Sequence, residues 1–118
     1  MIIGLYLREP LLSETLYWKL FNDKDMKTIE DPHSCLCSHE DLSGLDAVVV
    51  HPEYDDKYGC WTRILGLVRK HPETDFYLFA INSSEREIFF GQHPNLEYIN
   101  SLNIDRFLDN PAGYMKKE

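Results

Sequence analysis

The chain has 118 residues, of which 43% are hydrophobic and 13% aromatic, a composition that suits one hydrophobic core and argues against disorder. The 20 acidic and 12 basic side chains give a formal net charge of -8, which disfavours nucleic acid and anionic membrane surfaces as partners. Residues 1–7 carry no basic n-region and are only a strand's length, so we expect no signal peptide, no membrane span and a cytoplasmic protein.

The domain organisation is expected to be simple. No repeat or composition shift divides the chain before the stretch at 111–118, so we expect a single domain over residues 1–110 and a loose tail over residues 111–118. The three cysteines have no framework spacing, and we therefore expect no structural disulfide.

Five short runs predict β-strands, in chain order at 2–7, 26–29, 47–51, 76–81 and 96–99. The first, third and fourth runs are almost continuously apolar, which is typical of strands buried on both faces of a parallel sheet.

Helical patterns fill the gaps between these runs. Pro10 suits the first turn of the first helix, and Ser84 with Glu87 forms a capping box before Phe89 and Phe90. A very short helix is also expected within 38–44. The predicted apolar stripes are Leu12, Leu16, Tyr17, Leu20 and Phe21 in the first helix, Trp61, Ile64, Leu65 and Val68 in the next long one, and Ile104, Phe107 and Leu108 in the last.

Strand and helix therefore alternate five times. This alternation predicts an α/β fold with a doubly wound, five-stranded parallel sheet of flavodoxin-like type and strand order 2-1-3-4-5. We expect Ile3, Leu5, Val48, Val50, Trp61, Leu65 and Leu78 to be buried. Ligands of such folds bind at the carboxyl ends of the strands.

Several local sequences, taken in order, resemble the receiver domains of two-component signalling over nearly the whole chain. Glu9-Pro10-Leu11-Leu12 is similar to the opening of the family's first helix, and Leu45 to Val50 is similar to its third strand. Gly59 lies eight residues after His51, as the family's loop glycine follows its acceptor aspartate. Residues 69–81 are similar to the end of the family's third helix and its fourth strand. Residues 98–108 are similar to its fifth strand and the entry to its last helix.

The resemblance also identifies which chemistry the chain lacks. Receivers hold a divalent cation with carboxylates. The corresponding positions of this chain are Leu7, Arg8, Glu9 and His51. The family's hydroxyl residue corresponds to Asn82 or Ser83, and its lysine corresponds to Ser101 or Asn100. We therefore expect no phosphotransfer, no enzymatic activity and no cofactor.

What the resemblance retains is a binding function. It implies a pseudo-receiver that binds a protein partner in signalling or regulation, through the face of the last two helices and the fifth strand. The candidate contacts are Phe89, Phe90, Tyr98 and Arg106; both phenylalanines also fit a core role. A homodimer is left open.

Two alternatives remain. The chain is also compatible with a small-anion or nucleotide binder, or an enzyme of the same fold, that uses a crevice at Arg8, His51 and Ser83. The segment His33-Ser-Cys35-Leu-Cys37-Ser-His39 carries four potential metal ligands on alternate residues, but it lacks the paired spacing of zinc sites. We expect no metal there, with binding through His33, Cys35, Cys37 and His39 as the alternative.

Overall fold

The computed structural model describes residues 1–7, 10–30, 42, 44–52, 59–81 and 84–116. Its strands and helices alternate along the chain. In order they are β1 (Ile2–Tyr6), α1 (Pro10–Phe21), β2 (Lys27–Glu30), β3 (Ala47–Val50), α2 (Cys60–Lys70), β4 (Asp75–Phe79), α3 (Ser84–Phe90), β5 (Leu96–Ile99), α4 (Ile104–Asp109) and α5 (Pro111–Lys116).

The five strands form one sheet in the order β2-β1-β3-β4-β5, and every neighbouring pair is parallel. The predicted flavodoxin-like α/β fold and its strand order are therefore confirmed. β5 begins and ends where the sequence predicts, and the bounds of the other strands shift by one or two residues.

Hydrophobic residues cover both faces of the sheet, because alternate residues of a strand point to opposite sides. Ile3 and Leu5 join one core with helix residues that include Leu16, Phe107 and Met115. Val48 and Val50 join the other core, which α2 and α3 close. The predicted core residues Ile3, Leu5, Val48, Val50, Trp61 and Leu78 are all buried.

Two predicted apolar stripes need correction. In α2, Leu65 is only partly buried, whereas Leu67 is buried together with Ile64 and Val68. The buried face of α2 is therefore centred differently from the prediction, and Leu65 lies on its flank. In α1, Leu16 and Leu20 are buried as predicted, but Phe21 is 60% exposed.

The prediction of a loose tail after residue 110 is wrong, because Pro111–Lys116 forms a helix. Proline is well suited to the first helical position, and the backbone N–H of Gly113 donates to Oδ1 of Asn110 at 3.1 Å. Ala112 and Met115 are buried against the α1 side of the sheet. These residues are therefore part of the folded core.

Other expectations fall mostly outside the described ranges. The short helix expected within 38–44 lies largely among residues that the structure does not describe, and Leu42 and Gly44 are not helical. Leu42 nonetheless packs into the α2 side of the core. Among the helices that the structure describes, none is long and apolar enough to cross a membrane.

Candidate functional site

His51 lies directly after β3, at the carboxyl edge of the sheet. Its backbone N–H donates to the carbonyl of Tyr6 at 3.2 Å, which continues the β1–β3 ladder by one bond. The imidazole is half-buried and stands edge-on to Phe79, with 6.0 Å between the ring centroids. The structure therefore places His51 among the ends of β1, β3 and β4.

Leu7 follows β1 at the same edge and points into the core. Its side chain is 2% exposed and packs with the residues between the sheet and α1. A buried hydrocarbon offers no oxygen to a metal ion, so this position has a packing role. Ser101, in the turn after β5, is exposed. The remaining predicted crevice residues, Arg8, Glu9, Asn82 and Ser83, lie outside the described residues.

Arg86 is a residue of this edge that the sequence reasoning missed. It lies on the buried side of α3 and is 4% exposed. Its Nη1 donates to the carbonyl of Phe79 at 3.0 Å and its Nη2 to the carbonyl of Pro52 at 3.2 Å. The guanidinium thus joins the end of β4 to the segment after β3. A permanent positive charge at this edge opposes the recruitment of a divalent cation.

The spacing of Arg86 and Phe90 is the sequence signal that indicates burial of the arginine. The two residues are four apart in α3 and so share one face of the helix, and both are buried.

The grouping of potential metal ligands can be described for part of the chain. Within the described ranges, no three His, Cys, Asp or Glu side chains are grouped closely enough to hold an ion. The four residues of the alternative metal site, at 33–39, lie outside those ranges. Cys60 is buried at the start of α2.

A cavity of about 220 Å³ opens at the opposite, amino-terminal edge of β4 and β5. Asp75, Tyr77 and Glu97 are among its lining residues. It lies at the edge of the sheet opposite to His51.

We use the name α3–β5–α4 face for the surface formed by residues 84–109. β5 is the last strand of the sheet, and Tyr98 ties it to α3. The Tyr98 hydroxyl donates to the carbonyl of Gly91, and its burial, together with the nearby Glu87, raises the pKa of Tyr98 to about 12. Tyr98 is therefore a neutral, half-buried anchor between β5 and α3 at physiological pH.

The turn after β5 is held by asparagine side chains. Oδ1 of Asn100 accepts from the backbone N–H of Leu102 at 2.9 Å, and Oδ1 of Asn103 accepts from the backbone N–H of Asn100 at 2.8 Å. Nδ2 of Asn103 donates to the carbonyl of Tyr98 at 2.8 Å. These bonds fix the turn that presents Leu102 to solvent.

The accessible apolar side chains of this face differ in part from the predicted contacts. Phe90 is 1% exposed, so it is a core residue and is wrong as a partner contact; Phe89 is 39% exposed. Arg106 is exposed, with its guanidinium carbon 5.6 Å from the ring centroid of Tyr114. The sequence reasoning missed Ile88 and Leu102, which are 80% and 94% exposed.

A second apolar surface lies on α1, where Leu11, Trp18 and Phe21 are exposed. Trp18 and Phe21 pack edge to face, with 5.8 Å between their ring centroids. Helix α1, which carries this α1 stripe, also contacts the end of α4, because Nζ of Lys19 donates to the carbonyl of Leu108.

No family model, curated protein or solved structure matches the chain. What the sheet order and strand directions do establish is an α/β fold of flavodoxin-like type.

Proposed function

We propose that this chain is a cytoplasmic, receiver-like protein–protein interaction module in signalling or regulation, that it accepts no phosphoryl group, and that its partner binds the α3–β5–α4 face. The observation that carries the proposal is the exposure of two large aliphatic side chains, Ile88 and Leu102, on this face. A hydrogen bond of 3.5 Å from Asn100 Nδ2 to Glu87 Oε1 joins the two segments that present them.

The exposure of these side chains is energetically useful for binding. Covering an aliphatic side chain contributes about 1.5 to 3 kcal/mol when it is fully removed from water. Both Ile88 and Leu102 lie on ordered backbone, in a helix and in a turn fixed by asparagine side chains. Little conformational entropy is therefore lost when a partner covers them.

The chemistry at the carboxyl edge supports the absence of phosphotransfer. Leu7 is buried where the resemblance implies a carboxylate, and His51 stands where it implies the acceptor aspartate. Arg86 adds a fixed positive charge beside them. Where the described residues of this edge supply a hydrocarbon, an imidazole and a guanidinium in place of carboxylates, the affinity for magnesium is lowered, and without the metal the charge on a transferring phosphoryl group is not neutralised.

The α1 stripe is a competing surface. We favour the α3–β5–α4 face because receivers, which the sequence resembles, signal through the corresponding face.

Partner capture tests this proposal when it is compared between matched variants. The double variant Ile88→Ser/Leu102→Ser removes the exposed side chains of the α3–β5–α4 face, Leu11→Ser removes an exposed leucine of α1, and His51→Ala alters the crevice. We expect the double variant to lose a partner that the other two retain. Retention by the double variant with loss on His51→Ala would favour instead the small-anion, nucleotide-binding or enzymatic alternative at the crevice.

A further inference from the structure

We propose that the element of the partner that binds the α3–β5–α4 face is a basic amphipathic helix. This inference rests on the proposed function and specifies the chemistry of its partner. It follows from the charges of the described helices and of β5, from the exposed aliphatic residues and from the shape of the sheet edge.

The α3–β5–α4 face is strongly acidic. Of its two basic residues, Arg86 is buried and donates to backbone carbonyls, and Arg106 lies over the ring of Tyr114. The same face carries five carboxylates, which belong to Glu85, Glu87, Glu97, Asp105 and Asp109.

The other helices do not share this charge. α1 carries one acid and one base, Glu14 and Lys19, and α2 carries only bases, Arg63, Arg69 and Lys70. Among these described helices, the acidic side chains of the α3–β5–α4 face therefore favour a positively charged partner more than the neutral α1 or the basic α2 does, because complementary potential steers association and like charge opposes it.

The apolar residues determine that the partner is amphipathic. Ile88 and Leu102 are exposed among the acidic side chains, and Phe89 is partly exposed. A purely basic segment would leave them in water, whereas a helix with an apolar stripe covers them with side chains spaced three or four residues apart. The basic residues on the flanks of that stripe then meet the carboxylates.

A helix fits this edge better than an added β-strand. β5 has only four residues, Leu96–Ile99, and its second residue is the acidic Glu97, whose Oε1 accepts from the Tyr114 hydroxyl at 2.6 Å. Short edge strands with charged residues resist pairing with another strand. α3 and α4, by contrast, flank β5 and present side chains outward.

Two synthetic helical peptides of equal length test the inference directly. They share one leucine stripe, and their polar faces carry lysine in the first and glutamate in the second. The full chain, labelled with ¹⁵N, is titrated with each peptide while backbone amide shifts are followed. We expect the lysine peptide to bind, to shift amides of residues 84–109, and to bind more weakly as salt is raised.

Matched variants separate this site from general attraction to an acidic protein. Glu85→Lys and Glu14→Lys make the same change of charge at exposed positions, and Ile88→Ser and Leu11→Ser make comparable apolar changes. We expect Glu85→Lys to weaken binding of the lysine peptide by about threefold or more and Ile88→Ser by about tenfold. Glu14→Lys and Leu11→Ser should change it by less than about twofold. Amide spectra of each variant verify that it is folded.

Three results would overturn the inference: tighter or equal binding of the glutamate peptide, amide shifts confined to α1, or no binding of the lysine peptide. The proposed function fails separately, when the captured partner is indifferent to Ile88→Ser/Leu102→Ser. A partner that is lost on that double variant, while the lysine peptide does not bind, would leave the interaction face standing and reject only the basic helix.

Discussion

The ring of Phe89 in α3 stands edge-on to the ring of Trp61 in α2, with 5.5 Å between the centroids. Its neighbour Ile88 is directed into solvent. The Phe89 side chain therefore joins α2 and α3, whereas the Ile88 side chain contributes little to the stability of the free protein.

This difference predicts that alanine substitution lowers the free energy of unfolding at one position and hardly changes it at the other. Phe89→Ala should lower the free energy of unfolding by about 1 to 3 kcal/mol, less than for a fully buried phenylalanine, because the ring is partly exposed. Ile88→Ala should change it by no more than about 0.5 kcal/mol. Urea denaturation at neutral pH measures both. An equal loss for the two variants would show that Ile88 is packed and unavailable to a partner.

Asn95 lies just before β5, and its side chain contacts three backbone carbonyls. Its Nδ2 lies 3.0 Å from the carbonyl of Val68, 2.9 Å from that of His71 and 3.1 Å from that of Thr74. Asn95→Asp keeps the shape but replaces the donor with a carboxylate that faces carbonyl oxygens, so we expect a loss of about 3 kcal/mol or more. The exposed Gln92→Glu is the control, with a change within about 0.5 kcal/mol. Similar denaturation midpoints for the two variants would contradict this role of Asn95.

Asp23 links the turn after α1 to α5. The backbone N–H of Asp25 donates to Asp23 Oδ1 at 2.9 Å, and Lys116 Nζ lies 3.0 Å from Asp23 Oδ2. Both interactions lower the pKa of Asp23 in the folded protein, and the backbone bond is the largest single cause. Because the folded pKa lies below the unfolded one, this carboxylate stabilises the fold above the unfolded pKa, and the contribution is lost as pH falls through the folded pKa.

Asp23→Asn should therefore reduce stability at neutral pH and flatten the decline of stability below about pH 4. Lys116→Met removes the lysine but leaves the backbone bond to Asp23, so it should have a smaller effect of the same sign. Urea denaturation over a series of acidic pH values checks both expectations. A slope for Asp23→Asn as steep as that of the parent chain would show that this aspartate does not contribute.

Incubation with acetyl phosphate and magnesium should leave the protein unmodified. The physical reason is that Leu7, His51 and Arg86 leave the described carboxyl edge without acidic metal ligands, so charge on the phosphoryl oxygens is not stabilised in the transition state. Intact-protein mass spectrometry under conditions that preserve acyl phosphate and phosphohistidine detects any product. Stoichiometric phosphorylation that disappears on His51→Ala would identify a working, unconventional receiver.

The fold was predictable because the three central strands of its sheet are almost continuously apolar. Ala47–Val50 is an apolar run with three valines, and such a run is typical of a strand that is covered on both faces. Alternation with helices then leaves few topologies, since parallel crossovers are right-handed. Helix detail was harder to predict. Leu65 and Leu67 are both leucines within one turn of Ile64, and a small rotation of α2 decides which of them is buried.

The last helix was missed for a similar local reason. Pro111 and Gly113 are typical of a chain that leaves its fold, yet Pro111 begins α5 and Gly113 donates to the Asn110 side chain. Only the tertiary packing of Ala112 and Met115 shows that this segment belongs to the core.

The candidate site was predictable only in its position. His51 and Leu7 follow strands, so their place at the carboxyl edge follows from the topology. The exposure of Ile88 and Leu102 does not, because it depends on how α3 is rotated and on the asparagine bonds of one turn. An isoleucine beside two phenylalanines is, from sequence alone, expected to be core.

Photo-crosslinking inside cells tests the central claim most directly. A benzoylphenylalanine is placed singly at position 88 or 102 on the α3–β5–α4 face, at position 11 on the α1 stripe, or at position 51 in the crevice. We expect one protein adduct that forms from positions 88 and 102, and not from 11 or 51. An adduct that forms only from position 51, or only from position 11, would contradict it.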